Sequence, residues 1–149
     1  MKDKKSVIKD IFVEGPISPE KIANSIASHG TKTSIGGHSI FLGQIRDDEK
    51  PEGKVVSIEY TAYRDMALEK ALEIREDIFE KYDLSCMHIY HSLGNIKVGD
   101  ICLFVFTSSA HRKAAIEACN ELVERIKAEL PIWGKEILDS DAEVWKVNR

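Results

Sequence analysis

The fold is decided by residues 101–122, ICLFVFTSSAHRKAAIEACNEL, where a strand leads directly into a helix. The first nine residues are mainly apolar or β-branched, which is typical of a strand. From Ala110 to about Leu130 the apolar residues recur at helical spacing, and Pro131 stops this helix. The helical side chains expected to be buried are those of Ala115, Ala118, Cys119, Leu122, Val123 and Ile126.

The preceding strand, residues 85–94, is too close along the chain for a helical crossover, so we expect the two strands to pair antiparallel. Strands and helices are mixed along the rest of the chain, which indicates an α+β fold with a largely antiparallel sheet. A polar loop is predicted at 46–54, and turns are predicted at Gly94–Asn95 and Val98–Gly99. The remaining predicted elements are strands at 8–15, 36–46, 54–63, 132–138 and 142–147 and helices at 19–29 and 64–82.

Composition limits the class of protein. The 149 residues fit one domain spanning 1–149, with 43% hydrophobic and 31% charged residues. A net charge of -4 argues against nucleic acid as a partner, and no apolar run is long enough to predict a membrane span. The three cysteines are too far apart for a zinc knuckle, and the N-terminus does not resemble a secretory signal. We therefore expect free thiols and a cytoplasmic location.

Several candidate motifs are better explained by structure than by chemistry. His88 and His91 are an odd number of residues apart, so on a regular strand they face opposite sides and cannot chelate one ion. Residues 47–49, DDE, are expected to be a solvated loop. Cys102 and Cys119 lie in an apolar strand and on an apolar helix face, where a core role is expected. The sequence predicts no metal ion and no cofactor.

The start of the long helix has an unusual charge. His111, Arg112 and Lys113 occupy the end of a helix that normally favours carboxylates. Backbone N–H groups at a helix N-terminus bind anions, and an arginine can bind phosphate or carboxylate through two hydrogen bonds. The alternative is a set of solvated surface charges.

A second cation, Lys127, lies near the other end of the same helix. It follows His111 by 16 residues, which is about 24 Å along a helix. The two residues therefore belong to two sites, or to one site shared by two subunits of a symmetric dimer.

Taken together, the stretches GQIR, SIEYTAYRDMA, HSLGNIKVGDICLFVFTSSAHRKAAIEA and RIKAELPIWGKE resemble the MoaE family, the large, catalytic subunits of molybdopterin synthase. The resemblance covers roughly Ile40 to Trp145 in matching order and spacing. It implies an α/β hammerhead fold with an additional small β-subdomain. It also implies a homodimer within a heterotetramer, in which each protomer binds a small ubiquitin-like subunit. That subunit ends in a Gly-Gly thiocarboxylate, whose sulfur is transferred to cyclic pyranopterin monophosphate to form the dithiolene of molybdopterin.

The resemblance also implies roles for particular residues. Gln44, Ile45 and Arg46 match a stretch of the family that contacts the substrate, and His111 and Arg112 match its substrate-binding HR pair. The family takes this pair from the opposite subunit, which would explain the basic start of the helix.

Lys127 matches the family's catalytic lysine, and Gly134, Lys135 and Glu136 match the substrate-binding stretch after the tryptophan. We expect Lys127 to bind substrate and to donate or accept a proton. The family commonly has a lysine where this chain has Gly134. Adjacent residues of an extended segment face opposite sides, so Lys135 replaces that lysine only if the glycine redirects the backbone.

Three interpretations remain open on the sequence. The first is a catalytic molybdopterin synthase subunit. The second, motivated by Gly134, is a non-catalytic copy of the same fold that binds an anion or a pterin or has a regulatory role. The third is a small interaction domain whose basic residues are only solvated.

Overall fold

A computed structural model describes residues 10–147 of the chain. Within this range it contains three helices and eight strands. The elements are β1 (Phe12–Glu14), α1 (Pro19–His29), β2 (Gly37–Gln44), β3 (Glu49–Lys50), β4 (Gly53–Ala62), α2 (Arg64–Lys81), β5 (Cys86–Lys97), β6 (Ile101–Ser109), α3 (Arg112–Glu129), β7 (Ile132–Leu138) and β8 (Glu143–Trp145).

The strands form one sheet in the order β2-β6-β5-β4-β7-β8, with β1 beside β5 and β3 beside β4. The described pairs are antiparallel except β1–β5, which is parallel. The predicted α+β class with a mostly antiparallel sheet is therefore confirmed. No helix among residues 10–147 is both long and apolar enough to cross a membrane.

β5 joins the two parts of the sheet. Its first half pairs with β6, and its second half pairs with β4, where Gly94 lies opposite Tyr60. The predicted turn at Gly94–Asn95 is therefore wrong, because the strand continues through it. Gly94 has a φ of 93°, a left-handed value that favours glycine, so this position changes the course of the strand without reversing the chain. β4, β7 and β8 form the smaller β-part of the fold.

The predicted polar loop at 46–54 is wrong in part, because Glu49–Lys50 is a short strand paired with the start of β4. The other predicted elements agree with the structure within a few residues, which is the usual uncertainty of element ends. The predicted start of the first strand, residues 8 and 9, lies outside the described residues.

The two faces of the sheet carry separate apolar clusters because side chains alternate along each strand. On one face Leu103 and Val105 of β6 join the main core with α2 and α3, which bury Ile74 and Leu122. On the other face a second cluster contains Ile17, Phe104 and Phe106, with Ile22 of α1 packed against it. The sheet is thus covered by α2 and α3 on one side and by α1 on the other.

Candidate functional site

The basic start of α3 is held against the beginning of β2. Ser109 Oγ donates to the carbonyl oxygen of His111 (2.5 Å) and accepts from the backbone N–H of Ala115 (3.0 Å), which closes the turn that leads into the helix. A Cβ atom at Gly36 would lie 2.1 Å from the carbonyl oxygen of Ala110. Glycine is required here because the two backbones approach so closely.

His111, Arg112 and Lys113 are exposed and line a cavity of ≈ 570 Å³ together with Gly36 and Glu117. Lys113 Nζ forms an ion pair with Glu117 Oε2 at 2.5 Å. The excess positive charge at this cavity is therefore that of Arg112. This arrangement suits an anionic group that approaches from solvent or from another subunit.

The stretch of Gln44, Ile45 and Arg46 lies where β2 ends. Ile45 is buried, and its backbone N–H and C=O bond to Asp100 and Gly99, so it belongs to the core and supports its neighbours. Gln44 and Arg46 are exposed. Arg46 Nε and an Nη donate to the two carboxylate oxygens of Asp48, both at 3.0 Å, and this pair raises the pKa of Arg46 and lowers that of Asp48.

Lys127 lies in the last turn of α3 and is half-buried. Its charge acts on three neighbours, namely His91, Cys102 and Lys146. Burial lowers the pKa of His91 to about 4, and Lys127 contributes to this shift. Burial also lowers the pKa of Lys146, and the charges of Lys127 and Arg46 lower it further. Lys146 is therefore close enough to both Lys127 and Arg46 to interact with them electrostatically.

Gly134 lies beside this cationic cluster, defined by Arg46, Lys127 and Lys146. Its strand β7 pairs with β4 so that Gly134 is opposite Tyr60, and the Lys146 N–H donates to the Gly134 carbonyl oxygen at 2.8 Å. A Cβ atom at Gly134 would lie 3.4 Å from Lys146 Cδ. The stem of Lys146 thus lies against the position where a side chain at 134 would begin.

Lys135 and Glu136 point in opposite directions, as alternation on a strand requires. Lys135 is turned away from Gly134, with its ammonium 3.2 Å from Glu143 Oε1 and 5.5 Å from the centre of the Trp145 ring. Gly134 therefore does not redirect Lys135 into the cluster. Glu136 is buried, and its Oε1 lies 3.4 Å from Lys50 Nζ.

Cys102 also lies beside the cluster but is shielded from reaction. Tyr60 donates to its Sγ over 3.7 Å, and burial raises the pKa of this thiol. A thiol with a raised pKa stays protonated near neutral pH and is a poor nucleophile. This agrees with the predicted core role of Cys102.

The two groups of cations lie at opposite ends of one unbroken helix. α3 runs from Arg112 to Glu129 without interruption, so the rise of a helix keeps Arg112 and Lys127 roughly 22 Å apart. A single copy of the chain therefore does not bring the HR pair and Lys127 to one small ligand.

Comparison with known proteins identifies the family. The sequence matches the family described as MoaE protein over residues 12–129. The chain belongs to the MoaE family.

Similar proteins agree with this membership. The chain is 36% identical over 143 residues to the molybdopterin synthase catalytic subunit of Homo sapiens, covering 95% of this chain and 73% of that protein. It superimposes on the crystal structure of molybdopterin synthase from Staphylococcus aureus with a TM-score of 0.80 and 32% identity, covering 95% of this chain and all of that one. A complex of subunits 1 and 2 of the Helicobacter pylori molybdopterin-converting factor gives a TM-score of 0.77 at 15% identity, covering 93% and 90%. This last likeness is one of fold.

The resemblance read from the sequence is thus confirmed, and the predicted function agrees with the names of these relatives.

Sequence reasoning missed Lys146 of this MoaE family member. The spacing of twelve residues between Gly134 and Lys146 gives no local signal. Only the antiparallel pairing of β7 with β8, in which Lys135 lies opposite Trp145, brings Lys146 beside Gly134.

Proposed function

We propose that this chain is the catalytic subunit of a molybdopterin synthase. In this proposal it transfers sulfur from the thiocarboxylated C-terminus of a small ubiquitin-like subunit to cyclic pyranopterin monophosphate. Membership of the MoaE family supports the reaction class. The observation that carries the assignment to particular residues is the cationic cluster of Arg46, Lys127 and Lys146, in which the stem of the half-buried Lys146 lies against Gly134. The charges of Lys127 and Arg46 lower the pKa of Lys146, and that of Glu136 opposes them.

The cluster suits a reaction between two anions. A thiocarboxylate is already an anionic nucleophile, and the pterin precursor carries a cyclic phosphate. Fixed cations offset the repulsion between them and orient both reactants. Positive charges that lie close together raise the free energy of the unliganded site, and an anionic ligand lowers it. The carboxylates of Asp48 and Glu136 offset part of this repulsion at Arg46 and Lys146.

Lys146 supplies the cation that Gly134 lacks in this proposal. The family pattern has a lysine at position 134, and here the stem of Lys146 lies 3.4 Å from the point where that side chain would start. Lys127 binds the substrate and exchanges a proton with it, and Lys146 holds the anionic group. This favours a catalytic subunit over a copy that only binds.

The HR pair acts from the opposite subunit in this proposal. The separation of Arg112 and Lys127 along α3 supports a site composed across a homodimer, within a heterotetramer that includes two small subunits. The Helicobacter pylori structure is a complex of two subunits of the molybdopterin-converting factor, which supports a partner subunit here. We further propose a single domain spanning 1–149 and a cytoplasmic location, which the free cysteines support.

The decisive experiment measures molybdopterin formation from the two reactants. We expect Lys127→Ala to reduce the rate by at least about a hundredfold, because it removes a charge and a proton-transfer group at the reacting atoms. Lys70→Ala is the matched control, since Lys70 lies on α2 and pairs with Glu73 at 2.9 Å. A near-normal rate for Lys127→Ala would refute the proposed role.

A complementation experiment tests the shared site. Arg112→Ala and Lys127→Ala chains are co-expressed with different tags, and the mixed dimer is isolated. If the site is composed across the dimer, the mixed species regains one intact site of two, and about half the wild-type rate per dimer returns. If both residues act within one chain, the mixed dimer stays as slow as the two single variants.

The alternative function is an anion- or pterin-binding or regulatory copy of the same fold, and the observation that favours it is Gly134. It predicts that the wild-type chain binds the small subunit and the pterin precursor but releases no product. Measured turnover by the wild-type chain would exclude this alternative.

A further inference from the structure

A second cluster of reactive side chains lies on the opposite face of the sheet from the cationic cluster. His91 is buried toward the main core, with its ring centre 5.0 Å from that of Tyr60. His88 faces the other way, toward Phe106. The two histidines therefore do not share a site, as predicted. Cys86, however, is two residues from His88 and lies on the same face.

His29 completes this cluster from the end of α1. Its Nε2 lies 3.0 Å from His88 Nε2, and the side-chain ligand atoms of His29, Cys86 and His88 all lie within 4.8 Å of one another. His29 and Cys86 are buried. His88 is partly buried, and the exposed Lys32 donates to Cys86 Sγ, so the cluster is within reach of solvent.

The hydrogen bonds orient the cluster toward a ligand. His29 Nδ1 lies 2.7 Å from the backbone carbonyl oxygen of Ser25. A carbonyl oxygen only accepts, so Nδ1 of His29 donates, and its Nε2 lone pair accepts from the Nε2–H of His88. A metal ion would displace the proton that lies between the two Nε2 atoms. Histidine ligands of metal ions are held in this way, with the second ring nitrogen donating to a carbonyl or a carboxylate.

We propose that His29, Cys86 and His88 bind a zinc ion. Two imidazoles and a thiolate are ligands that zinc prefers, and three protein ligands with one further position make a complete tetrahedral site. Ideal Zn–N and Zn–S bonds place the ligand atoms roughly 3.3–3.6 Å apart. The two Nε2 atoms need to separate slightly and Cys86 Sγ needs to approach by about 1 Å, which rotation of side chains provides.

Two neighbouring groups complete the site. Lys32 Nζ donates to Cys86 Sγ at 2.9 Å, and this lysine is exposed, so its ammonium can move into solvent when zinc displaces the thiol proton. His38 Nδ1 is engaged with Ser108 Oγ at 2.8 Å. His38 lies outside the group of mutually close ligand atoms, so a water molecule would take the fourth position. The zinc would link the end of α1 to β5, away from the cationic cluster.

The test uses the untagged full chain, stripped with a chelator and titrated with zinc or with cobalt(II). We expect one tightly bound zinc ion per chain by elemental analysis, and a thiolate-to-cobalt charge-transfer absorption with cobalt. Cys86→Ser should remove that absorption and weaken zinc binding by more than about tenfold. His88→Ala should weaken zinc binding to a similar extent. Cys119→Ser is the matched control and should change neither, because Cys119 is a buried thiol on α3.

Circular dichroism of each variant without metal establishes whether that variant is folded. If Cys86→Ser or His88→Ala is unfolded, His29→Gln provides another variant that lacks one ligand. His38→Ala should leave zinc affinity unchanged. The proposal is overturned if the chain takes up no zinc, or if zinc binds equally well to Cys86→Ser, His88→Ala and the wild type.

Discussion

Placing a lysine at position 134, as the resemblance to the family suggests, should damage this protein. In the structure a Cβ atom at Gly134 would lie 2.9 Å from Ile58 Cγ2 and 3.0 Å from Tyr60 Cε1. Both neighbours are core residues, 3% and 8% exposed, so neither can move into solvent. Overpacking of this kind costs about 1–3 kcal/mol of folding free energy. The remaining lysine atoms would also compete with Lys146 for the same space.

The expected result for Gly134→Lys is a lower Tm and no gain in rate. For a chain of this size each kcal/mol shifts Tm by roughly 2–4 °C, so Tm should fall by about 2–12 °C. The rate should not rise, because Lys146 already supplies the positive charge. Thermal unfolding followed by circular dichroism measures the first quantity, and the fluorescence of oxidised molybdopterin measures the second.

Matched variants separate steric from electrostatic effects. Gly134→Ala introduces the Cβ atom without a charge and should lower Tm while changing the rate little. Lys146→Met removes an ammonium group whose pKa is lowered by burial and by the charge of Lys127. This variant should slow the reaction at pH 7 without lowering Tm. In the double variant Gly134→Lys with Lys146→Met, the rate should partly recover relative to Lys146→Met, which measures the coupling of the two positions. An unchanged Tm and a faster reaction in Gly134→Lys would refute this reasoning.

Other predictions concern neighbouring parts of the molecule. Gly36→Ala should lower the unfolding free energy by more than about 2 kcal/mol in a urea titration, because its Cβ would lie 2.1 Å from the Ala110 carbonyl oxygen; wild-type stability would contradict this close approach. The pKa of His91 falls from 6.5 to about 4 on folding, so the unfolded chain binds the proton first as the pH is lowered. The unfolding free energy should therefore decrease between pH 6.5 and 4, by up to about 3 kcal/mol, and His91→Gln should remove this part of the slope in urea titrations across that range; equal slopes would contradict it. Arg46→Ala should leave Tm unchanged, because Arg46 and Asp48 form an ion pair at the surface. The variant should slow the reaction in the fluorescence assay. A lower Tm with a normal rate would instead assign Arg46 a structural role.

Local patterns in the sequence determine the elements of this protein and the separation of its charges. Helical periodicity and Pro131 define α3, and its length alone keeps His111 far from Lys127. Alternation along a strand correctly separates His88 from His91 and directs Lys135 away from the site. These properties follow from backbone geometry within a few residues, which is why they can be read without the fold.

Only the tertiary structure decides which distant residues meet. Lys146 reaches Gly134 because β8 pairs with β7 in one register, and a shift of one residue would turn Lys146 to the other face. His29 meets Cys86 and His88 because α1 packs on the face of the sheet opposite α2 and α3. The turn predicted at Gly94 is absent because two neighbouring strands, β6 and β4, hold β5 extended on either side of it. Register and packing depend on contacts between residues far apart in the chain, and for these the local pattern carries no signal.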